Sequence, residues 1–512
     1  MIVKIKQGNE VRTVIAENGI LVSEVINIAG FSIPMPCAGE GRCKKCLVNV
    51  SGKVSEPEKN EAEFLSKSGL SSNLRLACKT HLLGEAIIEL PEKNEAKIIT
   101  EIKYSKNANN ELRQVGETGV AIDIGTTTIA AYLFDIQNKT LIRSEASVNP
   151  QISFGADVIS RIEKSLQGRG DELAKIIRDE LNRLIAIISK GYSPKNAVIT
   201  GNTTMLYLLT GRNVITLSSA PFEADCLFGY EIPAQSIGIN GVENVYLPEC
   251  ISAFAGADLS CAVLSSGIFE SGKNSLLVDI GTNGEIYLNT KNGSLCCSAA
   301  AGPAFEGSGI TMGMNASNGA VYEVWDENDE VYCKVIGNGK SIGICGTGVL
   351  DAVATFLKLG FIDESGMMHS GNKYYRFWRG EKCLKITDDV VLTQGDIRAV
   401  QLAKAAIRGA IETILIRADI TPDELDEVII AGGFGSFMNI NSAVAIGMLP
   451  VKFKEKAYAV GNASAAGAVT LLTESSSRNK LEFISKNVKY IELSSDIVFS
   501  DNYIEAINFC SF

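Results

Sequence analysis

The sequence VAIDIGTTT at residues 120–128 is the strongest indication of how this chain folds. An apolar, β-branched run that ends at a glycine is typical of a buried strand leading into a tight turn. A carboxylate at the end of such a strand can hold Mg²⁺ or its water shell, and glycine amides and threonine hydroxyls can meet phosphate oxygens. The stretch therefore predicts a catalytic Asp123 and a phosphate-binding turn made of Gly125, Thr126, Thr127 and Thr128.

A second copy of this unit, VDIGTNGE, lies at residues 278–285. Its separation from the first copy is too long for a solenoid repeat and fits two related α/β halves that face each other across a cleft. Two facing turns can clamp a triphosphate together with its metal ion, with water as the nucleophile. The second turn is predicted to contribute a catalytic Asp279 and the binding residues Gly281, Thr282, Asn283 and Gly284.

Two further tracts fit the same cleft. The sequence AGGFG at residues 431–435 follows a third strand-like run, and its Gly432 and Gly433 would let the backbone approach a nucleotide base and ribose closely. The tract at residues 298–307 combines small residues with Glu306, which is predicted to lie near the metal ion or the water, with a tightly packed loop as an equal alternative. Neither a Walker A sequence nor a Gly-x-Gly-x-x-Gly motif after a strand is present, which argues against a P-loop and against a dinucleotide site.

Helical patterns separate these strands, at residues 157–166, 173–189 and 396–418. Strands that alternate with helices predict an α/β architecture. Asp157 and Arg161 stand four positions apart on the first of these helices, and this spacing predicts an ion pair on the protein surface.

A cysteine constellation near the amino end predicts a metal cluster. The spacing is Cys37-x5-Cys43-x2-Cys46, followed by Cys78 after 31 residues. Four thiolates, three of them in one loop, can hold a [2Fe–2S] cluster, and the glycines between the first two cysteines let that loop curl around it. The alternatives are a structural zinc site and four unrelated cysteines. Structural zinc sites usually show two Cys-x-x-Cys pairs, and only one is present.

Composition argues against several classes of protein. The formal net charge of −11 speaks against nucleic-acid binding, because phosphate contacts need a clustered positive surface. No apolar run of about 18 residues is present, so no membrane span is expected, and the start of the chain has no apolar targeting segment. Thirteen cysteines in such a chain are better explained by metal binding or buried thiols than by disulfides. We therefore expect a cytoplasmic protein.

The 512 residues divide by composition into four segments. Short strand-like runs and the cysteine loop occupy residues 1–90. Residues 91–117 are rich in Glu, Lys and Asn and are predicted to be a linker. Residues 118–272 and 273–512 contain one Asp-x-Gly-Thr unit each and are predicted to be the two lobes of the nucleotide-binding region.

Two Asp-x-Gly-Thr turns followed by Ala-Gly-Gly, in this order, resemble the actin/Hsp70/sugar-kinase superfamily of ATPases. The cysteine loop resembles that of adrenodoxin-type [2Fe–2S] ferredoxins, and the context of Cys78 resembles the fourth ligand of a ferredoxin. The combination resembles the reductive activators of corrinoid-dependent enzymes over nearly the whole chain. This resemblance implies a multidomain fold, with an N-terminal β-grasp ferredoxin-like α+β domain and then a two-lobed α/β ATPase of the actin/Hsp70 type.

The resemblance also implies an enzymatic activity. Such activators hydrolyse ATP with Mg²⁺ and pass one electron from the [2Fe–2S] cluster to the inactive Co(II) corrinoid of a methyl-transferring protein, which regenerates Co(I). The implied partners are a corrinoid iron–sulfur protein or the corrinoid protein of a methyltransferase system, together with an upstream low-potential electron donor. A homodimer is implied as well. Some relatives carry two C-terminal [4Fe–4S] clusters instead, whereas this chain has only Cys510 at that end.

Three alternatives remain open on the sequence. The first is a small-molecule kinase with a ferredoxin domain, although we find no catalytic base for it. The second is an ATP-dependent iron–sulfur activator of a different radical or redox enzyme. The third is a ferredoxin whose ATPase-like region serves only for binding or scaffolding.

Overall fold

The structure is a computed structural model that describes residues 1–35, 37–67, 71, 73–91 and 116–509. The predicted linker at 91–117 lies almost entirely outside the described residues, and so does Cys510. None of the described helices combines the length and the apolar composition that crossing a bilayer requires.

The amino-terminal part is a mixed five-stranded sheet with helices packed beside it. Its elements are β1 (Ile2–Gln7), β2 (Glu10–Ile15), α1 (Val22–Ile28), β3 (Leu47–Val54), α2 (Lys59–Lys67), β4 (Leu74–Leu76) and β5 (Leu82–Glu89). The strand order is β2-β1-β5-β3-β4. Strand β1 alternates the buried Val3 and Ile5 with the exposed Lys4, because successive side chains of a strand point to opposite faces. The parallel pairing of β1 with β5 beside the antiparallel β1–β2 hairpin confirms the predicted β-grasp fold.

The next part, from residue 116, is built around a six-stranded sheet. Its elements are β6 (Thr118–Ile124), β7 (Thr128–Asp135), β8 (Thr140–Val148), α3 (Val158–Lys164), α4 (Gly170–Ile188), β9 (Asn196–Gly201), α5 (Thr203–Thr210), β10 (Tyr230–Pro233), β11 (Asn244–Leu247) and α6 (Ala257–Ser266). The strand order is β10-β11-β9-β6-β7-β8. Helix α4 buries Leu173, Ile177, Leu181, Leu184 and Ile188 against this sheet, because residues three or four apart share one face of a helix.

The carboxyl-terminal part contains a second six-stranded sheet in the order β22-β21-β12-β13-β14-β23, and two small sheets in the orders β16-β15-β17 and β18-β19-β20. Its strands are β12 (Ser275–Ile280), β13 (Gly284–Thr290), β14 (Gly293–Ala299), β15 (Ala320–Glu327), β16 (Glu330–Val335), β17 (Gly343–Ile344), β18 (Tyr375–Trp378), β19 (Glu381–Lys385), β20 (Val391–Thr393), β21 (Glu427–Ala431), β22 (Ala457–Gly461) and β23 (Val488–Tyr490). Its helices are α7 (Gly346–Lys358), α8 (Gln394–Arg417), α9 (Ile440–Ala445), α10 (Ala463–Thr473), α11 (Ser477–Asn487) and α12 (Ile497–Glu505).

The two six-stranded sheets repeat one plan. In each, the central strand pairs with the following strand in antiparallel fashion and with a later strand in parallel: β6 with β7 and β9, and β12 with β13 and β21. Both central strands end at a predicted glycine turn. We call the halves built on these sheets the first and second lobes, and their common topology confirms the prediction of two related α/β halves.

Helices α6 and α10 join the two lobes. They pack between the sheets in one shared buried cluster that includes Leu259, Val263, Ala465 and Val469. A Cβ atom at Gly467 of α10 would lie only 2.1 Å from a backbone carbonyl oxygen of α6. Glycine is therefore required there for the two helices to approach so closely. Since α10 begins directly after β22, this crossing brings a late part of the chain to the end of β6.

Candidate functional site

A cavity of about 830 Å³ lies between the two lobes, at the turns that follow β6 and β12. The structure brings twelve of the predicted nucleotide-site residues to its wall: Asp123, Gly125, Thr126, Thr127, Thr128, Asp279, Gly281, Thr282, Asn283, Glu306, Gly432 and Gly433. It does not bring Gly284 there. Gly284 is the first residue of β13 and faces helix α8, where an added Cβ would lie 3.2 Å from Ile407.

Buried side chains hold the first turn from behind. Asn149 donates from Nδ2 to the carbonyl oxygen of Gly125 at 2.9 Å, and Arg161 donates from Nη2 to the carbonyl oxygen of Thr126 at 2.5 Å. Asn202 donates from Nδ2 to the Thr126 hydroxyl at 3.3 Å. Because its carbonyls are occupied from behind, the turn is oriented with its other face towards the cavity.

The predicted surface ion pair of Asp157 and Arg161 is wrong. Arg161 is fully buried and also donates from Nε to the Gly155 carbonyl at 3.0 Å. Burial lowers the pKa of its guanidinium to about 9. Asp157 instead caps α3 by accepting from the backbone N–H of Ser160 at 2.8 Å. The spacing of four residues places two side chains on one face of a helix but does not say whether that face is exposed.

The end of the chain supplies the partners of Asp123. Asn462 donates from Nδ2 to one carboxylate oxygen at 2.8 Å, and Ser464 donates from its hydroxyl to the other at 3.1 Å. Both residues stand at the start of α10. Burial raises the pKa of Asp123, while these two hydrogen bonds oppose the rise.

Glu306 connects the two turns. Its Oε2 atom accepts a hydrogen bond from the hydroxyl of Thr127 in the first lobe and another, of 2.7 Å, from the hydroxyl of Thr282 in the second lobe. The two hydroxyl oxygens are 3.5 Å apart. Burial raises the pKa of Glu306, and the hydrogen bonds from both threonines counteract it. The tract at residues 298–307 was predicted either to line the cleft or to form a packed loop. The structure places its one acid, Glu306, between the two predicted phosphate-binding turns.

The cavity wall is strongly acidic. Burial, and then the neighbouring carboxylates, raise the pKa of Asp279 to about 8, and burial raises the pKa of Asp258 to about 7. None of the described lining residues is a lysine or an arginine. Because carboxyl groups line the described wall without a basic side chain among them, the donor set fits a phosphate that arrives with a divalent cation. The acidic lining residues are Asp123, Asp258, Asp279, Glu285, Glu306, Glu323 and Asp351.

Sequence reasoning did not select several lining residues. Asp258 opens α6 and Tyr132 lies in the middle of β7, where no local motif marks them. The Tyr132 hydroxyl is buried and has no hydrogen-bond partner among the described residues, which marks it as a group available to a ligand. Asn462 and Ser464 lie in a tract of small residues whose pattern indicated close helix crossing and not a contact with Asp123.

Gly432 lies against the second turn. Its φ of +91° is in the left-handed region that favours glycine. A Cβ atom there would meet Oδ1 of Asp279 at 2.5 Å and the carbonyl oxygen of Ile280 at 2.7 Å. At Gly433, by contrast, an added Cβ would meet nothing within 4 Å. The first glycine therefore serves the packing of the turn, and the second borders open cavity space.

The four predicted ligand cysteines form two close pairs. The sulfur atoms of Cys46 and Cys78 are 3.3 Å apart, and the Cys43 thiol donates to Cys37, which lowers the pKa of Cys37 to about 4. Within the described ranges no three His, Cys, Asp or Glu side chains converge on a single ion. Two thiol pairs fit two iron atoms with two thiolates each, whereas a structural zinc ion needs four ligands around one point.

The backbone of the cysteine loop, residues 37–46, is curled as expected for a loop that wraps a cluster. Ala38, Gly39, Gly41 and Lys44 all have φ between +49° and +92°. Two of these are not glycine, so the tertiary structure sustains a conformation that costs free energy locally. The residues present therefore fit the cluster in both donor chemistry and loop shape.

Comparison with known proteins identifies the family. Residues 4–83 match a 2Fe-2S iron-sulfur cluster binding domain, residues 118–271 match the RACo middle region, and residues 273–511 match the C-terminal domain of RACo, the ASKHA domain. The chain is also 30% identical to the corrinoid activation enzyme RamQ of Eubacterium limosum, over 94% of this chain and 95% of RamQ. The chain belongs to the RACo family of corrinoid activators.

Two further comparisons agree with this assignment. The RACo-family chain is 25% identical to the [Co(II) methylated amine-specific corrinoid protein] reductase of Methanosarcina barkeri, over 75% of this chain and 76% of that protein. The solved structure of a reductive activator for corrinoid, iron-sulfur protein covers 99% of this chain and 98% of its own, with a TM-score of 0.73 and 28% identity. The predicted order of a ferredoxin domain and an actin-like region is thereby confirmed, and the amino-terminal domain is of the [2Fe–2S] type.

Proposed function

We propose that this protein is an ATP-dependent reductive activator. It transfers one electron from a [2Fe–2S] cluster to the inactive Co(II) corrinoid of a methyl-transferring corrinoid protein and so regenerates Co(I). Membership of the RACo family supports this reaction and this class of partner. The single observation that carries the dependence on ATP is the shared contact of Glu306 with Thr127 and Thr282, because it joins one phosphate turn from each lobe. No observation favours the kinase or the other activators.

The acidic cavity supports the assignment of roles for Mg²⁺ and ATP. Asp123 and Asp279 hold Mg²⁺ directly or through its water shell. The amides and hydroxyls of residues 125–128 and 281–283 bind the phosphate oxygens. We assign to Glu306 the orientation of the attacking water, and its position between the two turns supports this role. Nucleotide bound to both turns favours closure of the two lobes. The free energy of this closure can drive a conformational change in the partner protein.

We also infer that the backbone at Gly432 and Gly433 lets the base and ribose approach closely, which the open space beside Gly433 supports. The packing of Gly284 against Ile407 supports a role in the second lobe's core, so we leave Gly284 out of the nucleotide site. Cluster binding is assigned to the two thiol pairs, Cys37 with Cys43 and Cys46 with Cys78. When bound, the [2Fe–2S] cluster supplies a one-electron redox centre.

The proposal extends to partners and location. A corrinoid iron–sulfur protein or the corrinoid protein of a methyltransferase system accepts the electron, and a low-potential donor supplies it. We further infer a homodimer and a cytoplasmic location, where the cluster thiols stay reduced until the cluster is assembled. Size-exclusion chromatography with light scattering tests the dimer.

The test uses the full-length protein reconstituted with iron and sulfide under anaerobic conditions. A Co(II) corrinoid protein is mixed with it, with Mg-ATP and with a low-potential reductant, and Co(I) is followed by its visible absorption. We expect Asp279→Ala to abolish both ATP hydrolysis and cobalt reduction. The control is Asp388→Asn, an exposed acid that pairs with Lys385 on the surface, and it should behave as the wild type.

Two results would overturn the proposal. If Asp279→Ala retained ATP hydrolysis and cobalt reduction, the nucleotide site would be wrong. If the reconstituted protein contained no iron and no acid-labile sulfide, the electron-transfer function would be wrong.

A further inference from the structure

Lys45 belongs to the cysteine loop, yet its side chain leaves the amino-terminal domain and enters the second lobe. Its ammonium group donates to the carbonyl oxygens of Ile310 at 2.9 Å, Thr311 at 3.1 Å and Gly313 at 3.4 Å. An ammonium group has three donors, so these three carbonyls form a complete cage for it. Such a cage selects a lysine at this position, because a neutral side chain would leave the carbonyls without their donor.

The carbonyl cage lies on the segment that begins at Glu306. Residues 306–314 fold back on themselves, since an added Cβ at Gly307 would lie 2.5 Å from the carbonyl oxygen of Met314. On its other side the segment is bound to α8, where the backbone N–H and the hydroxyl of Thr311 donate to Asp396 at 2.7 and 2.9 Å. A segment packed this tightly moves as a unit, so a displacement of Glu306 is passed to the cage.

Phosphate at the two turns competes with Glu306. Each of the hydroxyls of Thr127 and Thr282 has one proton to donate, and both protons are given to Glu306 in the arrangement described. A phosphate oxygen that accepts either proton removes a hydrogen bond from Glu306 and brings a like charge close to its carboxylate. Nucleotide binding therefore favours a displacement of the segment that carries the cage.

Among the described residues, the hydrogen bond and the ion pair that join the amino-terminal domain to the first lobe are weaker than the Lys45 contact. The backbone N–H of Met35 donates to the carbonyl oxygen of Ile152 at 3.3 Å. Glu24 and Arg169 lie 4.0 Å apart and are partly exposed, and such pairs contribute little to stability. The Lys45 cage is thus the contact best placed to hold the cysteine loop.

We propose that Lys45 is a positioning residue that couples the nucleotide site to the cluster-binding loop. In the arrangement described it holds that loop against the second lobe, and nucleotide at the two turns weakens the hold and frees the loop for the partner protein. This inference rests on the proposed function, because it needs both the cluster and the nucleotide. Coupling of two binding events is reciprocal, so loss of the Lys45 contact must strengthen nucleotide binding by the same factor by which nucleotide weakens the contact.

The test compares Lys45→Met with Lys44→Met in the cluster-loaded protein. Both variants remove one lysine charge from the same loop, but the Lys44 ammonium stays within its own domain, 4.4 Å above the ring of Phe64. Binding of Mg²⁺ with a non-hydrolysable ATP analogue is measured by calorimetry. We expect Lys45→Met to bind the analogue at least about 5-fold tighter than the wild type, and Lys44→Met to bind it with unchanged affinity.

Hydrogen exchange of residues 37–47 is the second readout. The analogue should increase exchange there in the wild type and in Lys44→Met. In the Lys45→Met variant, exchange of these residues should already be high without the analogue, and adding the analogue should not change it. A merely structural role of Lys45 would change exchange without changing nucleotide affinity.

A second variant keeps the test decisive if Lys45→Met fails to take up the cluster. Thr311→Val leaves the cysteine loop intact and removes the hydroxyl bond to Asp396, so it should also tighten analogue binding. The coupling is wrong if the wild type binds the analogue and the variants that fold bind it with the same affinity and with an unchanged exchange response. If the wild type itself binds no analogue, the proposed function fails instead.

Discussion

Asn462 donates a hydrogen bond of 2.8 Å to the carboxylate of Asp123, although 339 positions separate the two residues in the chain. The same side chain accepts from the backbone N–H of Ala465 at 2.9 Å and so caps helix α10. One amide group therefore caps the amino end of a helix that crosses between the lobes and orients the acid near the end of β6. The orientation of the Asp123 carboxylate therefore depends on where that helix begins.

The first prediction concerns this amide. Asn462→Ala should weaken binding of Mg-ATP by about 10-fold or more, because a hydrogen bond to a charged group contributes about 1.5–3 kcal/mol. Asn462→Ser separates the two roles, since serine can still cap α10 but is too short to reach Asp123. Calorimetry should show weak binding for both variants, and the serine variant should keep the wild-type unfolding temperature. Normal Mg-ATP affinity of Asn462→Ser would show that capping alone matters.

The second prediction concerns pH. Burial and the neighbouring carboxylates raise the pKa of Asp279 to about 8, whereas an aspartate in the unfolded chain titrates near ~3.9. Between these values the folded protein retains a proton that the unfolded chain has lost, so the contribution of Asp279 to stability is largest below about pH 4 and is lost as the pH rises to about 8.

Asp279→Asn removes this dependence. Urea unfolding without Mg²⁺, followed by circular dichroism at several values between pH 5 and pH 8, should show Asp279→Asn gaining stability over the wild type as the pH rises. Asp388→Asn is the control, because Lys385 lowers the pKa of Asp388 and no titration falls in this range. Parallel curves for the wild type and Asp279→Asn would contradict the assigned shift.

The third prediction concerns the support of the thiol pairs. Glu61 and Arg75 form a buried ion pair of 3.1 Å, and Glu61 also accepts from the backbone N–H of Leu76 at 2.7 Å, two positions before Cys78. Removing one partner of a buried pair leaves an uncompensated charge and costs about 3–5 kcal/mol. Glu61→Ala should therefore release the cluster at a clearly lower urea concentration, as followed anaerobically by visible absorption.

The control for this variant is Glu89→Ala. Glu89 forms an exposed pair with Lys6 at 3.8 Å, which is expected to contribute at most about 1 kcal/mol. Equal urea midpoints for the two variants would show that the buried pair does not support the cluster loop.

The fourth prediction separates two adjacent glycines. Gly432→Ala forces a Cβ against Asp279 at a positive φ, so it should lower the free energy of unfolding by about 1–3 kcal/mol. Gly433→Ala meets no protein atom within 4 Å and should leave stability unchanged while it weakens Mg-ATP binding. Thermal unfolding and calorimetry on the two variants test this, and a stability loss shared equally by both would contradict the assigned packing.

The turns at residues 120–128 and 278–285 and the cysteine loop were predictable because their information is local. A strand that ends in Gly-Thr constrains its own backbone, and three cysteines within ten residues can meet around one cluster whatever the rest of the chain does. Chain order and motif type then sufficed to place the predicted ferredoxin-like and ATPase-like parts. The structure buries Arg161, contrary to the predicted surface ion pair, and turns Gly284 towards Ile407 and away from the cavity wall, because a local pattern does not encode which face is buried.

Folding of the whole chain supplied what no motif contains. Asp258, Tyr132 and Asn462 reach the cavity because the α6–α10 crossing and the sheet packing bring distant segments within hydrogen-bonding range. Lys45 looks like any surface lysine in the sequence, and only the structure shows that three carbonyl oxygens of the second lobe surround its ammonium group. Local patterns set backbone conformation and residue chemistry, whereas burial and contact between distant segments depend on the simultaneous packing of all elements. The cysteine loop and the two Gly-Thr turns were thus readable from the sequence, whereas the contact that Lys45 makes between the cysteine loop and the second lobe exists only in the folded protein.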